Sequence, residues 1–298
     1  MAGIYWTLTT GGKLVISQAR QEQDVDDLLR TISKEHVTHT LCLPSLHHSL
    51  LEHADAAGSQ QSLDSMQVVI NAGEAMPSGE YLELHRSVMP GARIINEYGP
   101  TESTVWCSAY DATHHDSRLP VPIGKPIANT RLFILDQNND LAPIGVSGEL
   151  VVAGNNLSGG YWKDDEATQR AFRRHNVIDE SRTTVYHTGD LARYTEDGNI
   201  IYLGRSDQQI KIRGHRIEPQ EIESRILSFP DVIAASVIVL HADKRAPQLI
   251  ACVVVEHDFF ELSKLKDHIA SQFPDYMVPA SFIVLDALPF LANGKLDR

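Results

Sequence analysis

Three short apolar runs, Thr38 to Leu43, Gln67 to Ile70 and Arg93 to Ile95, are separated by stretches in which apolar residues return at helical spacing. That alternation is the tightest constraint on the fold, because strands joined by helices settle side by side in a mostly parallel sheet. Helices are predicted over Asp24 to Ser33, where Val25, Leu28, Leu29 and Ile32 share a face, after Pro44 through Leu46, Leu50 and Leu51, and from about Ser78 to Ser87. Upstream, Gly11-Gly12-Lys13 reads as a turn and not as a phosphate loop, since the flanking glycines and a following Ser or Thr are missing. A strand over Leu14 to Ile16 is expected after it. Met1 to Thr10 opens in apolar and aromatic residues with no cap or polar lead, which reads as a start inside a fold.

From Val121 the pattern changes to short strands between Gly, Pro and Asn turns: Arg131 to Leu135, Glu149 to Ala153, Thr184 to Tyr186 and Ile200 to Leu203. The charged stretch Gly204 to Glu218 reads as an interdomain linker. After it come a helix from Pro219 to about Ser228, strands over Val232 to Leu240 and Leu249 to Val255, a helix from Phe260 to Gln272, and a strand over Phe282 to Leu285. The expected fold class is therefore α/β. A large N-terminal domain, residues 1–206, has a mostly parallel sheet with helices plus a small β portion; a small α+β C-terminal domain, residues 207–298, follows it.

An apolar content of 42% over 298 residues is enough for such cores. The formal charge of −13 argues against nucleic acid or an anionic membrane as partner, because those need a basic face. An anionic ligand must then be held by local donors and a metal. No apolar run is long enough for a membrane span, and the N-terminus has no secretory pattern. Cys42, Cys107 and Cys252 are spaced for neither a metal site nor a disulfide framework, which points to a reducing, cytoplasmic compartment. The pairs His47-His48 and His114-His115 read as surface or capping residues, since neighbours in sequence do not usually converge on one ion.

The third run ends in Asn96-Glu97-Tyr98-Gly99-Pro100-Thr101-Glu102-Ser103. Gly-Pro stops the strand in a tight turn, and the carboxyl end of a strand is where open α/β sheets hold ligands. The turn offers a phenol for stacking, a Thr hydroxyl for a phosphate oxygen and a carboxylate suited to Mg²⁺. Tyr186-His187-Thr188-Gly189-Asp190 places a carboxylate after a glycine turn, able to accept from two ribose hydroxyls or simply to cap the turn. Together with Ala72-Gly73-Glu74, Gly204 to Glu218, Pro274-Asp275-Tyr276-Met277-Val278-Pro279 and Asn293-Gly294-Lys295-Leu296-Asp297-Arg298, this series resembles the adenylation domains of nonribosomal peptide synthetases, a branch of the adenylate-forming enzymes.

The resemblance implies attack of an amino-acid carboxylate on the α-phosphorus of ATP, giving an aminoacyl-AMP, then transfer to a phosphopantetheine thiol on a peptidyl carrier domain. Carried over residue by residue, Glu102 would hold Mg²⁺ and Thr101 would donate to a phosphate. Tyr98 would stack on adenine with Ala72, Gly73, Glu74 and Asn96 around it. Asp190 would take the ribose hydroxyls, with Tyr202 and Arg205 nearby. Lys295 would bridge the substrate carboxylate and the α-phosphate, and Asp207 would be the hinge on which the small domain turns. Cys42, Ile70, Ala72, Glu97, Val105 and Trp106 would line the amino-acid pocket, where Glu97 suits a polar or cationic substrate side chain. Gly148 to Gly154 and Gly159-Gly160-Tyr161-Trp162 match a stretch that reads as mainly structural.

Two other readings stay open: a fragment of an acyl- or aryl-CoA ligase, which shares the fold, and a catalytically silent remnant that docks to a partner. Family members carry a Gly-, Ser- and Thr-rich phosphate loop and a pocket Asp upstream of the part matched here. Neither occurs in this sequence. The large domain is therefore expected to be incomplete and the chain alone inactive, with a missing upstream half or neighbouring synthetase domains as its partners.

Overall fold

The computed structural model describes residues 2–17, 24–175, 183–206, 210–212, 215–240, 248–256 and 260–289. The chain divides into two compact units, Met1–Ser206 and Asp207–Arg298. In the first, helix α1 (Ala2–Thr9) is followed by irregular chain, so the strand expected over Leu14 to Ile16 is not formed. Ile16 is 80% exposed, and a short apolar run with no sheet edge to pair with gains nothing by extending.

Helix α2 (Val25–Glu35) is capped by Asp24, whose carboxylate accepts from the Asp27 N–H, and ends at His36 in the left-handed region. Then follow β1 (His39–Cys42), α3 (Pro44–Ala56), β2 (Val68–Asn71), α4 (Glu80–Val88), β3 (Arg93–Tyr98), β4 (Ser108–Asp111) and β5 (Lys125–Pro126). The sheet runs in the order β1-β2-β3-β4-β5, parallel across β1, β2 and β3 and antiparallel beyond. Leu29, Leu51, Val69, Tyr81, Leu82 and Ile94 form the core between the helices and one sheet face.

Cys42 is the register partner of Asn71, and Asn71 that of Asn96. Behind this row Tyr81 donates to Asn71 Oδ1 at 2.5 Å, and His47 Nδ1 lies 2.8 Å from the Tyr81 oxygen. The phenol proton is already committed, so His47 donates from Nδ1. The expectation that His47 sits at the surface is thus corrected: it is 2% exposed and edge-on to buried His85, with ring centroids 5.2 Å apart. Burial first, then His85, lowers its pKa to about 3, which keeps the ring neutral.

A second sheet is built from β6 (Thr130–Leu135), β7 (Gly148–Gly154), β8 (Phe172–His175, entered from helix α5, Asp165–Ala171), β9 (Thr183–Tyr194) and β10 (Ile200–Arg205). Its order is β10-β9-β7-β6, with β8 on the free length of β9. Tyr98 from the first sheet and Cys107 just before β4 pack into its core with Leu132, Leu150, Val152 and Tyr186. The smaller β portion therefore sits against the carboxyl end of β3, where the ligand site was expected.

The second unit opens with a hairpin, β11 (Ile210–Ile212) and β12 (His215–Ile217), inside the stretch read as a linker. Helix α6 (Pro219–Leu227) and helix α7 (Leu262–Gln272) pack on a three-stranded sheet of β13 (Val232–Leu240), β14 (Gln248–Val255) and β15 (Ser281–Val284). Ile217, Ile222, Ile226, Ala251, Val253, Leu265 and Ile269 are its fully buried core. His215 stacks on Tyr276 with ring centroids 3.8 Å apart.

Candidate functional site at the carboxyl end of the third strand

Gly99 fits where no other residue does, because a Cβ there would stand 2.2 Å from the Trp106 Cα. The close crossing brings the Cys107 N–H to the Tyr98 carbonyl at 2.8 Å and forces residues 101–105 into a small loop. Thr101–Ser103 form one tight turn, and Thr104 and Val105 take φ of 57° and 81°. Positive φ is rare for a β-branched residue, and Val105 is held there 46% exposed.

At the end of β3 the site closes around Asp190 on β9. Tyr98 donates its hydroxyl to Asp190 Oδ2, and Arg205 Nη1 donates to Oδ1 at 2.9 Å. The Arg205 and Asp190 side chains are only 10% and 3% exposed, so the ion pair is largely out of water and charge-assisted. Burial, then the Asp190 charge, pushes the Tyr98 phenol well above its ordinary range, so it stays a donor. The Tyr202 ring lies 6.2 Å from that of Tyr98. Residues from three strands, Tyr98 of β3, Asp190 of β9, and Tyr202 and Arg205 of β10, are thus one cluster.

Glu102 is 6% exposed and accepts from the Tyr161 hydroxyl at 2.6 Å. Its backbone is strapped as well: Ser158 N–H donates to the Glu102 carbonyl, and the Asn156 amide to that of Ser103. Thr101 is exposed at the mouth of the loop. Gly73 has φ 88°, and Glu74 accepts from the Ser45 N–H at 3.3 Å.

The pocket candidates divide by face. Ile70 is the register partner of Ile95, and Glu97 lies two residues beyond it, so Ile70 and Glu97 share one face with Leu41. Cys42 stands opposite Asn71 on the helix-covered face, 3.7 Å from the Asn71 amide nitrogen, where burial raises its thiol to about 12. It is therefore set apart from Ile70 and Glu97. Asn96 also turns to that face and donates to the Pro122 carbonyl at 2.8 Å. Burial alone raises the Glu97 carboxyl to about 7. Trp106 is half-buried beside Val105, and Ala72 half-buried at the end of β2.

Sequence reasoning missed Tyr161, which lay in the stretch read as structural, and the Glu149–His187 contact beside Asp190. Nothing in the spacing of Tyr161 signalled a partner so distant in the chain. Lys295 and Asp207 lie outside the described residues. Among the described residues no group of three or more His, Cys, Asp or Glu is placed to hold a metal.

The two-sheet α/β unit thus carries a buried carboxylate–guanidinium–phenol cluster at a strand end, and a small α+β unit follows it in the chain. The chain belongs to the AMP-binding enzyme family: the profile described as "AMP-binding enzyme" matches residues 1–162, and that described as "AMP-binding enzyme C-terminal domain" matches residues 221–295. It is 37% identical over 295 residues to bacitracin synthase 2 of Bacillus licheniformis, covering 99% of this chain and 11% of that protein. It is 39% identical over 299 residues to malpibaldin synthetase of Mortierella alpina, covering 99% of this chain and 5% of that one. Among solved structures it is similar to IdnL1, with TM-score 0.84, 30% identity and coverage of 97% of this chain and 58% of that one. It is also similar to holo-PA1221, described as an NRPS protein containing adenylation and PCP domains, with TM-score 0.79, 27% identity and coverage of 92% and 46%. The chain thus spans a small fraction of the two large synthetases and about half of the solved structures. No helix among the described residues is long and apolar enough to cross a membrane.

Proposed function

We propose that this chain is the part of a peptide-synthetase adenylation domain that binds ATP and an amino acid, joins them as an aminoacyl-AMP, and passes the acyl group to a carrier-domain phosphopantetheine. The observation that carries the reading is the convergence of Tyr98 and Arg205 on buried Asp190. A carboxylate oriented by two donors is held ready to accept from the paired hydroxyls of a ribose. The two reacting groups are both anions, so the chain's task is to supply donors and alignment. Thr101, exposed on the turn, would donate to a phosphate oxygen. Lys295, a compact ammonium on a flexible stem, would bridge the two anions.

Glu102 fits Mg²⁺: it is a hard carboxylate, buried at the strand end and braced by Tyr161. Mg²⁺ takes one or two carboxylates and fills its octahedron with water and phosphate. Bound there it would neutralise phosphate charge. Ile70, Ala72, Glu97, Val105 and Trp106 would face the amino acid, and Asp207 would take up the rotation between the two half-reactions. ATP–pyrophosphate exchange with a panel of amino acids, aryl acids and fatty acids tests the reading. Exchange driven by an amino acid is expected when the upstream half of an adenylation domain is supplied with the chain, and none from the chain alone. Exchange driven only by aryl or fatty acids would favour an acyl-CoA ligase, a fold likeness that o-succinylbenzoate CoA synthetase shares at TM-score 0.83 and 25% identity.

A further inference from the structure

The turn that carries Asp190 is held by groups that the nucleotide reading leaves unused. Leu191 pairs with Glu149 and His187 with Val151, so β9 takes four steps where β7 takes two, and residues 188–190 stand out as a bulge. Gly189, with φ 71°, makes the bulge possible and also leaves it conformationally free. Glu149 grips both of its sides: Oε2 accepts from His187 Nδ1 at 2.9 Å, and Oε1 from the Gly189 N–H at 3.1 Å. The Gly189 carbonyl accepts in turn from the Ser206 N–H at 2.9 Å and the Ser206 hydroxyl at 2.8 Å. Ser206 directly follows Arg205, the partner of Asp190.

The His187 side chain is 6% exposed, and its Nε2 is buried with no hydrogen-bond partner among the described residues. The ring is therefore oriented through Nδ1 and Glu149. Burial raises the Glu149 carboxyl, but its bonds to His187 and Gly189 outweigh that and hold it below its ordinary range. We propose that Glu149 and His187 are positioning residues: together they fix the 188–190 bulge and, through the Gly189 carbonyl, the strand end at Arg205-Ser206, so that Asp190 and Arg205 meet the nucleotide as one preformed element. The nucleotide part of this claim rests on the reading of Asp190 given above; the clamp does not.

Amide hydrogen exchange and AMP calorimetry on the whole chain separate the two. In Glu149→Ala and His187→Leu, exchange at Gly189 and Ser206 should quicken together by about tenfold or more, the worth of one charge-assisted hydrogen bond, while α2, α3 and α4 keep their rates. His187→Asn places an amide nitrogen where Nδ1 was and should restore slow exchange. AMP affinity should fall about tenfold in the first two variants and recover in the third. Unchanged exchange at Gly189 and Ser206 overturns the proposal. So does protection lost equally across the helical core, which would mean that the pair merely stabilises the fold. If exchange responds as expected but AMP binding by the parent chain is indifferent to Asp190→Asn, the clamp stands and the nucleotide reading of Asp190 fails.

Discussion

Glu97 is the residue whose chemistry reaches furthest beyond its position. Its neighbours Asn96 and Tyr98 spend their polar groups inside the protein, on Pro122 and Asp190, whereas Glu97 lies half-buried on the other face with its carboxyl raised to about 7. A carboxyl raised by burial alone is neutral below that pH and charged above it. A cationic substrate side chain would favour the charged form, so affinity for such an amino acid should rise as pH is taken from about 6 to about 8, and Glu97→Gln should flatten that rise. An unaltered substrate profile and pH dependence in Glu97→Gln would remove the residue from the pocket. Glu102, by contrast, is braced by the Tyr161 hydroxyl. Glu102→Gln should weaken Mg²⁺-dependent nucleotide binding strongly, since a neutral amide is a poor ligand for a hard dication. Tyr161→Phe, which frees the carboxylate from one donor, should weaken it less; calorimetry with and without Mg²⁺ reads both.

Elements account for what the sequence made legible. The parallel strands and their helices were readable because apolar runs and helical periods alternate, and both sheets follow from that pattern and its change at Val121. Buried polar residues were harder. Pro44, His47, Leu50, Leu51 and Ala54 are the buried positions of α3, and that spacing alone places His47 inward; its polarity argued the other way. The Asp190 turn read as the end of a short strand because a bulge and a turn leave the same Thr-Gly-Asp trace, and β9 in fact runs through it from Thr183 to Tyr194. The first hairpin of the second unit was hidden by its charges, although apolar and charged residues alternate along Ile210-Lys211-Ile212. Packing behind the first sheet gives its own prediction. Tyr81→Phe leaves Asn71 and His47 without their shared partner in the core and should cost about 1–3 kcal/mol, seen as a lower urea midpoint at unchanged slope. Because the folded pKa of His47 lies below its unfolded value, stability should fall as pH drops from about 6.5 towards about 3, and His47→Gln should reduce that acid-side loss.

At the scale of the whole molecule the proposal needs two units to act in turn. With the upstream half of an adenylation domain supplied, Lys295→Ala should reduce adenylate formation by about a hundredfold or more while leaving transfer from preformed adenylate far less affected, as expected for a charge donor aligned only in the first step. Equal losses in both half-reactions would count against a rotation about Asp207. All of this depends on a nucleotide lying against the cluster that Tyr98, Asp190 and Arg205 build. The most direct measurement is therefore equilibrium binding of AMP to the chain and to Asp190→Asn, which keeps the side chain's shape and removes its charge. The account predicts binding to the parent chain and a loss of about tenfold or more in the variant, equivalent to at least one charge-assisted hydrogen bond to ribose. Equal affinity in the two proteins would contradict it.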